Sequence, residues 1–162
     1  MSKIILVPLK HYWFLEQKDV QTKRQRNINV WIDEVINEFE TKFDPVKTRH
    51  CIDYGDYLFL ALNESEHVTA FAICVDYPSS SWSIWGLKNF DQGYLEIALI
   101  VSRDKGQGAV LINEIKDFCK SVLLRKRIEV SLSVPKLQSY YKAHGFVSVR
   151  GKKNSSVMQY RV

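Results

Sequence analysis

The segment YLEIALIVSRDKGQGAVLINEIKDFC, Tyr94 to Cys119, constrains the fold more than any other stretch of the chain. Tyr94–Val101 is dense in Leu, Ile and Tyr and reads as a buried strand. Gly106 and Gly108 then stand one residue apart, close behind Arg103 and Lys105. Leu111, Ile115, Phe118 and Val122 recur at helical steps, with Ile112 and Cys119 beside them. A strand, a short basic glycine turn and a helix in that order either hold something or turn a corner.

Both uses have a physical basis. The first amide N–H groups of a helix have no partner inside it, and the aligned peptide dipoles make that end partly positive. An anion is stabilised there, and glycine lets the backbone approach it and take positive φ. Gly106 and Gly108 suit a phosphate cradle, with Arg103 and Lys105 adding charge. A tight strand-to-helix corner would use the same glycines. Two familiar phosphate loops are excluded. The Rossmann fingerprint needs a third glycine where position 111 is Leu, and no Gly-Lys-Ser/Thr of a Walker loop follows.

Around this segment the chain alternates strands and helices. Ile4–Leu9 is rich in strand formers, and its apolar run is too short for a signal-peptide core. Ile28, Trp31, Ile32, Val35, Ile36, Phe39 and Phe43 predict an amphipathic helix that Asp44-Pro45 ends. Tyr57–Leu62 and Val68–Tyr77 predict a hairpin across Asn63–His67. Pro78–Gly93 reads as a long loop carrying Trp82, Trp85 and Phe90. Ile128–Val134 reads as a strand, Lys136–His144 as a short helix stopped by Gly145, and Val147–Val149 and Val157–Val162 as closing strands. The fold class is α/β or α+β, a single sheet covered by helices.

Bulk properties narrow the class further. The 162 residues suit one domain, and 46% apolar with 25% charged residues is globular composition. No run approaches the ~18 apolar residues of a membrane span. Cys51, Cys74 and Cys119 are odd in number and widely spaced, which suits a reducing, cytoplasmic setting and predicts no metal site. The net charge of +5 gathers at Lys23–Arg26, Arg125–Arg127 and Arg150–Lys153. Such clusters attract anionic partners, or they are solvated surface.

Two motifs carry a family resemblance. Arg103-x-x-Gly106-x-Gly108-Ala109 resembles the pyrophosphate loop of the GNAT superfamily of N-acetyltransferases. Ser139-Tyr-Tyr-Lys-Ala-His-Gly-Phe146 is similar to that family's Phe-Tyr-Glu-Lys-x-Gly-Phe segment, in the expected order and context. The likeness covers Tyr57–Phe146 well and the rest loosely. It implies a mixed, mostly antiparallel sheet flanked by helices, with a central splayed parallel pair, Tyr94–Val101 and Ile128–Val134. It implies one N-acetyltransferase-like domain over 1–162, with residues 1–56 on the acceptor side and 57–162 forming the cofactor-binding core. Acetyl-CoA would contact Leu99, Ile100, Val101, Arg103, Lys105, Gly106, Gln107, Gly108 and Ala109. Val101-Ser102 leads to Arg103 with about three residues fewer than is usual in the family. A second register therefore aligns Lys105-Gly106-Gln107-Gly108 with the loop, and which cation faces phosphate stays open. The asparagine that the family often places before the Phe-Tyr segment is Val134 here.

The implied reaction is transfer of acetyl to a primary amine. It needs a base for the amine, donors for the thioester oxygen and an acid for the thiolate. The resemblance places backbone N–H groups near Leu99–Val101 at the carbonyl. It makes Tyr141 the acid, whose phenol pKa near 10 suits that partner, where the bare sequence would also allow a core or lid aromatic, and Tyr140 a packing residue. Glu96, inside an otherwise apolar strand, is the base that the resemblance suggests, half of a salt bridge with a lysine or arginine, or a solvent-facing residue. His144 reads as a helix-end residue favoured by the dipole, and Cys119 as packed. Acceptor specificity is expected in the Asp44–Tyr54 and Pro78–Gly93 loops and the N-terminal helix, where Trp82, Trp85, Phe90, Asp53 and Asp56 are candidates to receive the amine, or core patches under a loop. The acceptor stays open between small amine, peptide and protein. The alternative reading is a non-catalytic basic module contacting nucleic acid or protein. Nucleic acid is not favoured, a membrane is not expected, and a homodimer is left open.

Overall fold

The computed structural model describes residues 2–10, 23–37, 39, 45–78, 80–84, 87–91, 93–132, 135–149 and 157–162. In chain order its elements are β1 (Lys3–Pro8), α1 (Lys23–Asn37), α2 (Pro45–Tyr54), β2 (Tyr57–Leu62), β3 (Val68–Tyr77), β4 (Ser80–Ile84), β5 (Leu87–Asp91) and β6 (Tyr94–Ser102). They continue with α3 (Gln107–Phe118), β7 (Arg127–Ser131), α4 (Leu137–Ala143), β8 (Val147–Ser148) and β9 (Val157–Arg161). Seven strands hydrogen-bond in the order β1-β2-β3-β6-β7-β9-β8, and β4-β5 form a separate ladder. The sheet is mixed. Most neighbours are antiparallel, while β6 and β7 run parallel with Leu95, Glu96 and Ile97 opposite Ile128, Glu129 and Val130. The expected parallel pair is therefore present.

The chain divides into two compact units, Met1–Val75 with Ala98–Leu111, and Asp76–Ile97 with Ile112–Val162. In the first, α1 turns Ile28, Trp31, Ile32 and Val35 into a core with Leu58, Leu60, Phe71, Ile73, Leu99 and Val101. This is the apolar stripe read from the sequence. The helix begins earlier than that stripe and ends at Asn37; Phe43 lies outside the described residues. Phe39 is 3% exposed and meets Phe71 edge-to-face at 5.0 Å. Trp31 Nε1 donates to the Glu66 carbonyl at 3.0 Å, so the largest apolar side chain of the stripe still satisfies its polar atom. Buried Glu34 accepts from the Val68 amide at 2.9 Å, anchoring the start of β3. The β2–β3 hairpin is fixed at its tip by Asn63, whose Oδ1 accepts from the Ser65 and His67 amides at 3.0 Å.

Three sequence expectations change. Residues 45–54, read as loop, are helix α2. Pro45 suits a first helical position, while the inward residues Thr48 and Ile52 are too few to show a period. Gly55 follows because nothing larger fits: an added Cβ would lie 2.6 Å from Ile73 Cγ2 and 2.7 Å from the Cys51 carbonyl. The stretch 78–93, also read as loop, holds the antiparallel pair β4-β5, with Ser81 opposite Phe90 and Trp82 opposite Asn89. Two residues separate these strands, few enough for a hairpin connection. Finally β6 is buried on one face only. Leu95, Ile97, Leu99 and Val101 are buried, while Tyr94, Glu96, Ala98 and Ile100 are half-exposed.

The second unit buries Leu95, Ile97, Ile112, Ile115, Cys119, Ile128, Val130, Tyr141, Phe146 and Met158. Past Phe118 the α3 helix widens into one π turn, Cys119–Leu123. It stops at Leu124, which takes the left-handed conformation at φ 55° although it is 72% exposed.

Candidate functional site

The glycine turn lies in the first unit. Gly106 sits at φ 90°, a conformation that an L side chain adopts only with strain, and an added Cβ would meet nothing within 4 Å. Glycine is therefore demanded by backbone shape, and space lies open in front of it. The preceding residues are braced: Ser102 Oγ donates to the Asp104 carbonyl at 2.6 Å and the Arg103 amide donates to Thr69 O at 2.9 Å. Of the first four helical amides, Gln107 reaches Asp104 O and Val110 reaches Gly106 O, each at 3.3 Å. Gly108 and Ala109 remain as amides that the helix itself does not satisfy. Gln107 Oε1 is buried with no hydrogen-bond partner among the described residues. Unsatisfied donors, a positive helix end and open space fit an anionic diphosphate.

The two candidate cations part company here. The Arg103 guanidinium lies over the Phe39 ring, 4.0 Å from its centroid. Lys105 is exposed on the turn itself. Leu99 and Val101 give their side chains to the core, so only their backbone is available, whereas Ile100 faces the other way.

The remaining candidates lie in the second unit. Glu96 is half-exposed on β6 and stands opposite Glu129 of β7. Glu129 Oε1 accepts from Arg127 Nε at 3.0 Å, and the Arg127 guanidinium lies 4.8 Å from the centroid of the Tyr94 ring. Tyr94 in turn stacks on Tyr77 at 4.6 Å.

Tyr141 is 2% exposed on α4. Its carbonyl accepts from the His144 and Phe146 amides, each at 3.0 Å, closing the turn after the helix. Gly145 sits at φ 85° as the sequence predicts, and an added Cβ would lie 3.2 Å from the Tyr160 ring. The Tyr141 ring meets Phe146 edge-on at 5.4 Å and Tyr140 at 5.4 Å. Tyr140, read as packing, is the more exposed of the pair at 37%, and desolvation raises its pKa.

His144 caps the end of α4, after Lys142 in the last turn, but is not held as a cation. Burial and the charge of Lys116 hold its imidazole pKa below the usual value. Lys116, from α3, takes that place: its Nζ donates to the His144 carbonyl at 2.6 Å and lies 4.1 Å from the Tyr160 ring centroid.

Among the acceptor candidates, Asp56 is 7% exposed and pairs with Lys10 at 2.5 Å, so structure already uses its carboxylate. Asp53 is exposed on α2. Trp82 and Phe90 fall on β4 and β5, and Trp85 lies outside the described residues. Cys51, Cys74 and Cys119 are free thiols. Burial pushes the Cys119 thiol up to about 11.

The sequence matches no protein-family model and no curated protein. Among solved structures it superposes on Tetrahymena GCN5 with a TM-score of 0.62 at 12% identity, covering 100% of this chain and 96% of that one. An acyl-CoA N-acyltransferase from Pseudomonas aeruginosa gives 0.57 at 18% identity, covering 99% of each chain. AtaT gives 0.59 at 13% identity in AtaTR bound with acetyl-CoA, covering 99% of this chain and 93% of that one. Complexed with acetyl-methionyl-tRNAfMet, AtaT gives 0.55 at 12% identity, covering 99% and 95%. The fold is that of the GNAT acetyltransferases.

On this GNAT fold the sequence motifs mark the turn and α4 and miss Lys116, which ties the exit of α4, and Glu129, which faces Glu96. Lys116 stands among Glu114, Asp117 and Lys120, and Glu129 follows the basic run Arg125–Arg127, so no spacing sets either apart. The partner of Lys116 is the His144 carbonyl, 28 residues away past the end of another helix, while Glu129 is held by Arg127 two residues back on its own strand.

Proposed function

We propose that this chain transfers an acetyl group from acetyl-CoA to a primary amine. The observation that carries the reading is the left-handed Gly106 turn, opening into free space and feeding a helix whose Gly108 and Ala109 amides lack helical partners. The GNAT fold supports the same assignment. Gly106, Gly108 and Ala109 would hold the diphosphate through their backbone, with Gln107 Oε1 nearby as an acceptor for a hydroxyl or amide. Lys105 is the better candidate for the facing charge, because Arg103 rests on Phe39.

Acetyl-CoA supplies an activated acyl group. Glu96 takes the amine proton, and the freed nitrogen forms the new N–C bond as the C–S bond breaks. Backbone N–H groups near Leu99–Val101 stabilise the charge on the carbonyl oxygen. Tyr141 gives its phenolic proton to the departing thiolate.

The competing reading, a basic module for nucleic acid, draws on the charged clusters. In Arg125–Arg127 two of the three cations are already held by carboxylates. Arg125 grips Asp76 in a bidentate pair at 2.8 and 2.9 Å, and Arg127 holds Glu129. This weakens the case for a phosphate-binding strip there.

Thermal-shift titration with acetyl-CoA tests the assignment. A ligand bound only by the native state raises its melting temperature by mass action. A rise in the wild type and a much smaller one in Lys105→Glu is expected, since position 105 is exposed and the variant should fold. No rise in the wild type returns the basic module. Thiol release over a panel of small amines, peptide amines, protein lysines and an aminoacyl-tRNA then finds the acceptor. The last is included because AtaT is seen with acetyl-methionyl-tRNAfMet.

A further inference from the structure

The geometry points to Lys116 as a positioning residue for Tyr141, acting through the turn that ends α4. This rests on the proposed function, in which Tyr141 supplies a proton.

Helix α4 has only seven residues and cannot fix its own end. The exit is tied by three backbone bonds: His144 N to Tyr141 O, Gly145 N to Lys142 O and Phe146 N to Tyr141 O, each 3.0 Å. To these Lys116 adds a charged bond from a different element, Nζ to His144 O at 2.6 Å. A charge-assisted bond to a terminal carbonyl is short, strong and aligned with the helix dipole.

The same ammonium lies over two rings, 4.1 Å from the centroid of Tyr160 and 5.8 Å from that of Phe146. Phe146 meets the Tyr141 ring edge-on at 5.4 Å and Tyr160 at 5.6 Å. One connected group thus runs from α3 through Lys116, Tyr160 and Phe146 to Tyr141. Removing the ammonium would free the exit carbonyl and leave both rings without their central contact.

Burial lowers the pKa of Lys116, so this cation is partly desolvated where it meets its carbonyl and rings. Lys105 and Lys120, in the same region of sequence, are exposed. A lysine that merely decorated α3 would be expected to behave as they do. Its ring and carbonyl partners offset the lost hydration and place it where it restrains the turn.

The test is a double-mutant cycle with acetyl-CoA-dependent thiol release as the readout. Wild type, Lys116→Met, Lys116→Arg, Tyr141→Phe and the Lys116→Met/Tyr141→Phe double variant are compared, each with its melting temperature. Lys116→Met should lower kcat about tenfold, the scale of a slightly misplaced group, with acetyl-CoA affinity within about twofold. Lys116→Arg, which keeps the charge and the ring contacts, should recover most of the loss. In the Tyr141→Phe background Lys116→Met should add little, because the group it places has no proton to give.

Equal losses in both backgrounds, or an unchanged kcat, would reduce Lys116 to a stabilising residue and overturn the inference alone. An inert Tyr141→Phe would instead remove the acid role and with it the target of the positioning. If Lys116→Met melts below the assay temperature, Lys116→Gln carries the same cycle at a lower temperature.

Discussion

Glu96 stands directly opposite Glu129 on the parallel strands β6 and β7, and among the described residues only Glu129 pairs with a cation, Arg127, at 3.0 Å. The two carboxylates therefore have different work open to them. Glu96→Gln keeps the shape and loses the base, so kcat should fall about 100-fold while acetyl-CoA affinity stays within about twofold. Glu129→Gln should cost turnover far less. Steady-state kinetics on both variants decides, and full turnover in Glu96→Gln removes the base.

Gly106 and Gly55 are both required, for opposite reasons. At Gly106 the added Cβ has room, yet φ is 90°; at Gly55 it would overlap Ile73 and the Cys51 carbonyl. Gly106→Ala should lose about 1–2 kcal/mol through backbone strain alone, and its acetyl-CoA thermal shift should shrink as the turn relaxes. Gly55→Ala should destabilise the protein while the ligand shift survives. Denaturant melts with and without acetyl-CoA separate the cases.

Leu124 ends the π turn at φ 55° and is 72% exposed, so it bears strain and gains little burial. Leu124→Gly should relieve about 1 kcal/mol of that strain, part of it lost to the freer unfolded chain. The melting temperature should rise by about 1–3 °C. Leu124→Ala keeps a Cβ and should not match it; equal gains would place the effect outside the backbone.

Cys119 is buried and its thiol ionises only near about 11. An unfolded thiol ionises at its ordinary value of 9.0, so between these two pH values the unfolded chain holds fewer protons than the native one. Stability from this group is complete below the unfolded value and is lost as pH rises through the folded one, by on the order of 2 kcal/mol. Cys119→Ala should flatten that alkaline loss in melts across the window. The native thiol should also resist alkylation at pH 8 until the protein unfolds.

Much of the fold was legible because its signals are local. The β2–β3 hairpin shows two strand-forming runs around Asn63, whose side chain fixes the tip. The start of α3 shows a glycine turn and then a period. Helix α2 was hidden because only one side of ten residues is inward and half of that is polar. The β4-β5 pair was hidden because SSWSI and LKNFD carry no run of branched residues. In the candidate site, both motifs were visible as residue types at fixed spacing. The long-range ties were not: Lys116 finds the exit of α4 at His144 across 28 residues, and elsewhere Arg125 finds Asp76 across 49. Contacts of that span leave no period in a sequence.

Strand β1 terminates the seven-stranded order, with half-buried Ile4, Ile5 and Leu6 between exposed Lys3 and Pro8. A row of apolar residues at a sheet margin invites other chains to add on, and a lysine and a proline are the residues that discourage it. On this strand the two residues that oppose such addition are its ends, Lys3 and Pro8. Neutralising Lys3 while replacing Pro8 should make that margin stickier toward other strands, with the buried core of the protein untouched.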